Sequence, residues 1–449
     1  MRPYKQKTGQ VEFYRVPLEK LVSPDHELVV LAKKIQWGRF DEKFGVIFHR
    51  KAGRPGIPTR LMVGLHYLKY TFDLSDYEVV HRWAENPFWQ YFCGEEFFTH
   101  KLPIDPTSMT RWRKKVGVDG SKEMLLETLS LALDLKALKL TELENLSADT
   151  TVQEKNVTFP TDAKLLNRAR VKLVTLAKKE GVILRQSYAR VGRIALIMQQ
   201  RYAHAKHIKR AKRQLRKLRT YLGRVIRDIM RKIAGNEAHI EKFYELLNRA
   251  SALLSEQRYK RGRKIFSMHA PEVECIGKGK AHRPYEFGVK VSLVTTNKSG
   301  FIVSCDAYRG RPHDAKTLKP SLSQAEENLG RAIKGGTVAV DLGYRGHKCG
   351  SSWHVLHSKL KRLTPRQRKL VRRRSAIEAV ISHLKLRCRM GRNFLKGTLG
   401  DRMNAIFAAA AFNFRLLIKG VIFFVPEITL FVRTTLRILV FRPFQSVTA

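Results

Sequence analysis

The sequence predicts an α/β fold in which short strands alternate with helices, and three observations predict it. The first is a set of short segments that are rich in β-branched residues, 146–153, 286–295, 301–307 and 336–341, with 353–357 as a further short strand. The second is the apolar spacing before residue 140 and over 162–252, which is typical of helices. The third is composition. Because 43% of the residues are hydrophobic, the chain can bury a core, and global disorder is excluded.

The charge of the chain predicts its partner. Its 449 residues contain 86 Lys or Arg and 39 Asp or Glu, a formal net charge of +47. A compact body with this excess favours a polyanion, with nucleic acid as the first candidate and an anionic membrane as the second. The apolar C-terminal region is interrupted by Lys419, Glu427, Arg433 and Arg437, well before the ~18 apolar residues of a membrane span. We therefore expect duplex DNA as the partner and no membrane association.

Cysteine usage and the N-terminus predict the compartment. The chain has five scattered cysteines and no CxxC pair, which argues against a disulfide framework. Met1–Gln10 is polar and has no signal core. We expect a cytoplasmic protein. His269, Cys275 and His282 match no zinc spacing, so a zinc site is not expected.

Residues 1–140 are predicted to form a separate, all-helical N-terminal DNA-binding domain. The Pro/Gly-rich loop at 52–58 precedes the first regular helix, and Ser75–Glu78 has the form of a capping box that begins the next one. Asp105-Pro106 opens a third helix, and 125–135 is predicted to form a fourth. The third helix is the expected DNA-facing element, and its candidate contacts are Arg111, Arg113 and Lys114.

A basic helical insertion is predicted at 163–260. Within it, one apolar seam has alternating steps of three and four: Ile208, Ala211, Leu215, Leu218, Leu222, Val225 and Ile229. Residues 201–232 hold 13 Lys or Arg and a single acid, Asp228. This pattern favours a helix that packs on a neighbour and presents cations to phosphate, with a merely solvated charged face as the alternative.

Three acidic residues stand out by their positions. Asp149 lies within the first strand, Asp341 lies at the end of a later strand before a glycine-rich turn, and Glu378 lies mid-helix. The preceding segment 358–374 contains nine Lys or Arg and no acid. Three convergent carboxylates suit two-metal phosphoryl transfer, because Mg²⁺ prefers oxygen ligands. Taken alone, each Asp is more often an ordinary loop or capping residue.

Helix geometry links Glu378 to two cations. At ~100° per residue, Arg374, Glu378 and Lys385 share one face of a helix. Such a face can hold a metal ion with the carboxylate and phosphate oxygens with the cations. The simpler alternative is an i,i+4 ion pair between Arg374 and Glu378.

These motifs together resemble the DDE transposases of bacterial insertion sequences, most closely the group named after insertion sequence five. The resemblance rests on Asp149-Thr150-Thr151, on Asp341-Leu342-Gly343-Tyr344-Arg345-Gly346, and on the spacing of Arg374, Glu378 and Lys385. The tyrosine of the family signature corresponds to Val371. Further similar segments include Gly53–Pro55, Phe159–Asp162, Cys275–Lys280 and His313-Asp314, the last interpreted as part of a loop that supports the site.

The resemblance implies an RNase-H-like mixed-sheet catalytic core at 141–418, interrupted by the insertion, with 419–449 as an atypical tail. It implies that Asp149, Asp341 and Glu378 bind Mg²⁺ (or Mn²⁺). Arg374, Lys385 and Arg345 are the expected phosphate contacts. The expected protein is nucleoid-associated and acts as a homodimer on DNA.

The expected function is metal-dependent cleavage at the ends of an insertion sequence, followed by transfer of the freed 3′-hydroxyl into target DNA. Two alternatives remain open from the sequence. One is a catalytically impaired remnant that still binds DNA specifically, and the other is a nuclease that cuts without joining.

Overall fold

The computed structural model describes residues 16–47, 56–255, 264–279, 282, 284–333 and 335–440, with the backbone alone for 351 and 422–440. Parts of several predicted segments lie outside this range. They are residues 1–10, the loop at 52–58, of which only 56–58 is described, the last five residues of the insertion predicted at 163–260, Lys280, and the last nine residues of the tail.

The described part before the first strand is helical, as predicted. Its helices are α1 Leu18–Leu21, α2 Glu27–Lys34, α3 Trp37–Gly45, α4 Thr59–Thr71, α5 Asp76–Glu85, α6 Pro87–Cys93 and α7 Thr107–Asp134. The capping box is confirmed, because the Ser75 hydroxyl accepts a hydrogen bond from the Glu78 N–H and the Glu78 carboxylate accepts one from the Ser75 N–H. The predicted third and fourth helices are two parts of α7. They are joined at Gly117, whose φ of 63° suits glycine.

The strands form a mixed sheet. They are β1 Asn145–Glu154, β2 Glu274–Gly277, β3 Tyr285–Thr296, β4 Ile302–Tyr308, β5 Gly336–Ala339 and β6 Trp353–Leu356. The order is β2-β3-β1-β5-β6, and β4 also pairs with β3. The pairs β1–β5 and β5–β6 are parallel, and β3–β4 is an antiparallel hairpin as predicted. β2 is the strand that the sequence analysis did not predict.

The later helices are α12 Asp314–Leu329, α13 Pro365–Arg373, α14 Ala376–Arg387 and α15 Gly397–Val440. The backbone of α15 therefore continues into the predicted tail. Within the described residues, one stretch, Gly397–Val421, is long and apolar enough to cross a membrane, but 72% of its most apolar window is buried inside the protein. Its alanines and phenylalanines belong to the main hydrophobic core.

The chain divides into two compact units, one formed by residues up to 154 together with those from 289 onward, the other by 155–288. In the first unit, one hydrophobic cluster joins the N-terminal helices, the sheet and α15. Asn413 of α15 bonds to both the N–H and the C=O of Ile302 in β4 and donates to Thr128 of α7. A separate N-terminal domain ending at 140 is therefore not confirmed, because its helices share the core of the sheet.

The second unit contains the predicted insertion and has a hydrophobic core of its own. Its helices are α8 Asp162–Lys179, α9 Ala189–His204, α10 Ile208–Ile233 and α11 Glu237–Ser255. The seam predicted on α10 is buried at Ala211, Leu218, Leu222, Val225 and Ile229, whereas Ile208 at its start is exposed. The helix pairing inferred from the heptad pattern is thus borne out. The described part of the predicted helical insertion consists of four separate helices.

Candidate active site and DNA contacts

Asp149 lies on β1, and Asp341 lies just beyond the end of the parallel neighbour β5, at the N-cap of the 3₁₀ turn Leu342–Tyr344. The pairing of β1 with β5 matches Asn145 to Thr337 and Ser147 to Ala339. Continued by two residues, the same register sets Asp341 opposite Asp149. Adjacent strands are about 4.8 Å apart, so the two aspartates emerge at one edge of the sheet.

Arg374 connects Glu378 to Asp149 at this edge of the sheet. The Arg374 guanidinium donates to Asp149 Oδ2 at 3.2 Å and to Glu378 Oε1, also at 3.2 Å. The ion pair that was the simpler alternative for Glu378 is therefore present, and the same cation also holds Asp149. The structure brings both carboxylates to one guanidinium although 229 positions separate them in the chain (378 − 149).

The helix that carries Glu378 differs from the prediction. α13 ends at Arg373 and α14 begins at Ala376, so Glu378 lies in the first turn of α14 and not in mid-helix. The break is small, because Arg374 and Ser375 keep right-handed helical dihedral angles. On the face of α14 that packs against the core, Ile377 and Leu384 are buried.

Hydrogen bonds hold α13 against the sheet. The Asn297 amide, in the β3–β4 turn, donates to Ser147 Oγ of β1 at 2.8 Å and to the Leu370 carbonyl of α13 at 3.0 Å. Arg373 donates to the carbonyls of Asn297 and Lys298. The position of Arg374 relative to Asp149 therefore follows from contacts between segments that are distant in sequence.

The charge around Asp149 is incompletely neutralised. Burial raises the pKa of Asp149, and the neighbouring Asp341 and Asp314 carboxylates raise it further, whereas the Thr150 N–H and Arg374 lower it. The side chain of Asp149 is 20% exposed and that of Glu378 is 65% exposed. A buried carboxylate beside like charges is stabilised by an added cation.

The donor set suits a hard divalent cation, but its members are not arranged as ligands. Asp149, Asp341 and Glu378 offer only carboxylate oxygens, which Mg²⁺ and Mn²⁺ accept. In the described part of the chain, no group of three or more His, Cys, Asp or Glu side chains is close enough to hold one ion. The Arg374 guanidinium lies between two of the acids and supplies positive charge there.

The other predicted phosphate contacts are placed as follows. Arg345 is exposed and directly follows the 3₁₀ turn Leu342–Tyr344, next to Asp341. Lys385 is half-buried two turns after Glu378 on α14. Arg111 and Lys114 are exposed on the first part of α7, where Arg111 donates to Thr107 Oγ1.

Arg113 is a correction to the predicted DNA contacts. It is only 3% exposed and donates to both carboxylate oxygens of Asp76, at 2.8 and 2.5 Å. Lys69, also buried, donates to Asp76 at 2.6 Å. Burial and the nearby Arg113 lower the pKa of Lys69 to about 7. Arg113 is therefore committed to an interior ion network between α4, α5 and α7 and does not reach DNA.

Two segments of the chain match known transposase families. Residues 16–115 match the family model described as "Transposase domain (DUF772)", and residues 257–414 match the one described as "Transposase DDE domain". The chain belongs to the DDE transposases of insertion-sequence type. The second match includes Asp341 and Glu378, whereas Asp149 and most of the insertion lie between the two matched segments of this transposase.

A relative matches part of the chain. The transposase is 49% identical over 206 residues to a protein named "Uncharacterized protein ORF8 in nfe locus" from Rhizobium meliloti, an overlap of 46% of this chain and 99% of that protein. No solved structure matches the transposase. These matches do not distinguish the group named after insertion sequence five from other groups.

The sequence analysis did not assign a role in the site to Thr150 or Lys290, and it placed Asp314 only in a supporting loop. In the structure, Asp314 accepts hydrogen bonds from both Thr150 and Lys290 next to Asp149. The sequence signals for them were the Asp149-Thr150-Thr151 motif and the His313-Asp314 pair.

Proposed function

We propose that this transposase cleaves the ends of an insertion sequence in a metal-dependent reaction and transfers the freed 3′-hydroxyl to target DNA. The observation that carries the proposal is that Arg374 donates hydrogen bonds to both Asp149 and Glu378. The β1–β5 register, continued by two residues, sets Asp341 opposite Asp149 and supports the third assignment.

The sheet supports an RNase-H-like core. Along β4-β3-β1-β5-β6, the hairpin strands lie on one side of β1 and the parallel strands on the other. The family resemblance implies acids on the first strand, after the fourth strand and on a late helix, and the fourth of the predicted strands is β5. One acid is on the first strand, one comes directly after a parallel neighbour of that strand, and one is on a late helix.

In the proposed reaction, Asp149, Asp341 and Glu378 would hold two divalent ions. Such ions activate a water or a 3′-hydroxyl and stabilise the leaving oxygen. Arg374 neutralises Asp149 and Glu378 in the ion-free protein and would turn to a DNA phosphate in the complex. Lys385 and Arg345 would also position phosphate oxygens, and planar Arg suits this role because it binds them in a bidentate manner.

A basic groove beside the acids supports DNA binding there. It has a volume of about 720 Å³ and is lined by Lys369, Arg372, Arg373, Ser375 and Ala376. These residues flank Arg374 at the junction of α13 and α14. A phosphate backbone in this groove would lie next to the segment that carries Arg374.

The insertion supplies a further basic surface. At ~100° per residue, six cations of α10 fall within about 80° of one another, opposite the buried seam: Lys209, Arg213, Arg216, Arg224, Arg227 and Arg231. We call this set the α10 stripe. Arg231 lies near Asp228, but within the described residues none of the other five pairs with a carboxylate. The stripe is about 33 Å long at ~1.5 Å per residue, close to one turn of duplex DNA.

The test is a cleavage assay on labelled duplexes that carry the inverted repeats flanking the gene. With Mg²⁺ or Mn²⁺, we expect nicked and joined products. Glu378→Gln should bind the same duplex and produce no nick, whereas Asp41→Asn, an exposed acid of α3, should cleave normally. Normal cleavage by Glu378→Gln would refute the assignment of Glu378.

The alternative is a catalytically impaired transposase that binds element ends. Two observations favour it, namely Val371 at the tyrosine position of the family signature and the Arg374 pairing that engages two of the acids. The same assay separates the functions. A shifted but uncut duplex supports the remnant, and nicks without joining support a nuclease. Sedimentation of the protein with one and two end duplexes tests for the proposed homodimer.

A further inference from the structure

Asp314 is a fourth carboxylate near the three acids. It is the first residue of α12, and His313 is the N-cap. An acid in the first turn of a helix is favourable through the helix dipole alone. The contacts of Asp314 go beyond this role, and they involve residues next to two of the acids.

The first of these contacts reaches β1. Asp314 Oδ1 accepts a hydrogen bond from Thr150 Oγ1 at 2.8 Å, and Thr150 directly follows Asp149. The Thr150 N–H also donates to Asp149 Oδ1 at 2.7 Å. Thr150 is thus held from both sides, with its backbone on Asp149 and its hydroxyl on Asp314.

The second contact reaches the turn that follows β5. A Cβ added at Gly343 would lie 3.1 Å from Asp314 Oδ2, so the backbone of this turn passes directly against the carboxylate. Gly343 is two residues after Asp341. One carboxylate therefore contacts both of the segments that carry the aspartates.

A lysine neutralises Asp314 within the protein. Lys290 of β3 donates from Nζ to Asp314 Oδ1 at 2.8 Å and to the Pro312 carbonyl at 2.8 Å, and its side chain is only 15% exposed. This internal counter-ion leaves the Asp314 carboxylate as a fixed hydrogen-bond acceptor.

We propose that Asp314, with Lys290 as its counter-ion, is a positioning residue that holds Thr150 and the Gly343 turn so that Asp149 and Asp341 face the same site. This inference rests on the proposed function. Groups that orient metal ligands typically change metal affinity or activity by roughly 10- to 100-fold when they are removed.

The test uses four single variants and one double variant of the full chain. Asp314→Ala removes the acceptor, and Thr150→Val removes the hydroxyl and leaves the Asp314–Lys290 pair. Thr150→Ser restores the hydroxyl. The matched control is Asp162→Ala, because Asp162 is the exposed first residue of α8 and loses the same helix-terminal charge outside the site.

Two readouts are measured, Mn²⁺ affinity by calorimetry without DNA and the rate of end cleavage at saturating DNA. We expect Asp314→Ala and Thr150→Val each to lower both the Mn²⁺ affinity and the cleavage rate by roughly 10- to 100-fold. Thr150→Ser and Asp162→Ala should stay within about threefold of the wild type. The double variant Asp314→Ala/Thr150→Val should be no worse than the worse single variant, because both remove one contact.

The outcomes distinguish the two proposals. If the wild type cleaves and Asp314→Ala retains its Mn²⁺ affinity and rate, the positioning role is refuted and the proposed function stands. If the wild type never cleaves, the proposed catalysis fails, and Mn²⁺ affinity alone decides the role of Asp314. Equal losses of Mn²⁺ affinity and cleavage rate in Asp314→Ala and Asp162→Ala would show that Asp314 acts only through its charge at the start of its helix.

Discussion

The α10 stripe allows a quantitative prediction about DNA binding. Arg213, Arg216 and Arg227 are exposed, and all three lie opposite the seam that packs into the second unit. Replacing them with Gln removes three cations without removing a buried side chain. If each one contacts a phosphate, the slope of log K against log salt should become less steep by about 2.7, since each contact contributes about 0.9.

The change in slope fixes the expected affinities. Salt that rises fourfold, from about 50 to about 200 mM, converts a slope difference of about 2.7 into a factor of about 40. The ratio of wild-type to variant affinity should therefore be about 40 times larger at the lower salt than at the higher. The measurement is a fluorescence-anisotropy titration of a non-specific duplex of about 30 base pairs at five salt concentrations.

A matched variant separates local contact from total charge. Lys43, Lys122 and Lys242 each lie near a glutamate, so changing all three to Gln gives the same loss of net charge away from the stripe. We expect this variant to keep the wild-type slope. An unchanged slope in the stripe variant would refute phosphate contact, and equal changes in both variants would show that only net charge matters.

Three further predictions concern the interior. Asp76→Ala leaves Lys69 and Arg113 buried without their carboxylate, so we expect a loss of about 3–5 kcal/mol in chemical unfolding. A loss below 1 kcal/mol, or one equal to that of the exposed Asp41→Ala, would contradict the buried network. Asp149→Asn should raise the melting temperature of the metal-free protein at pH 7. The reason is that the raised pKa of Asp149 makes its ionised form unfavourable in the fold, and the difference should vanish well below pH 4. No difference at pH 7 would argue against this account. Asn413→Ala leaves the N–H and C=O of Ile302 unpaired and should destabilise the protein by about 1–3 kcal/mol per group, whereas Asn413→Gln should recover little because its amide is displaced by one methylene. A neutral Asn413→Ala in thermal melts would contradict this.

Regular elements were predictable where one periodicity dominates a segment. The heptad seam of α10 was predicted because burial of one face leaves a repeat in the sequence, and the β3–β4 hairpin was predicted because strands and turns differ in composition. β2 was missed since its four residues, Glu-Cys-Ile-Gly, contain a single β-branched side chain, whereas the equally short β5 contains Thr337 and Val338. The break between α13 and α14 was missed because both sides keep helical dihedral angles.

The exposure of individual side chains was less predictable. Arg111 and Arg113 are two positions apart on α7, but one is exposed and the other is 3% exposed. Composition makes them equivalent, and the difference arises because α7 turns Arg113 toward Asp76 of α5. The hydrogen bonds of Asp314 were not predicted for a similar reason, since its partners Thr150 and Lys290 are 164 and 24 residues away in the chain.

The sequence by itself determined the positive charge, the helices and strands with a clear repeat, and the three acids whose order resembles that of DDE transposases. The tertiary structure alone decided that Arg374 joins Asp149 to Glu378, that Arg113 is interior, and that the N-terminal helices share a core with the sheet. The physical reason is that periodicity and composition report the local chain and its solvent-facing side, whereas ion pairing and burial depend on which distant segment packs against each residue.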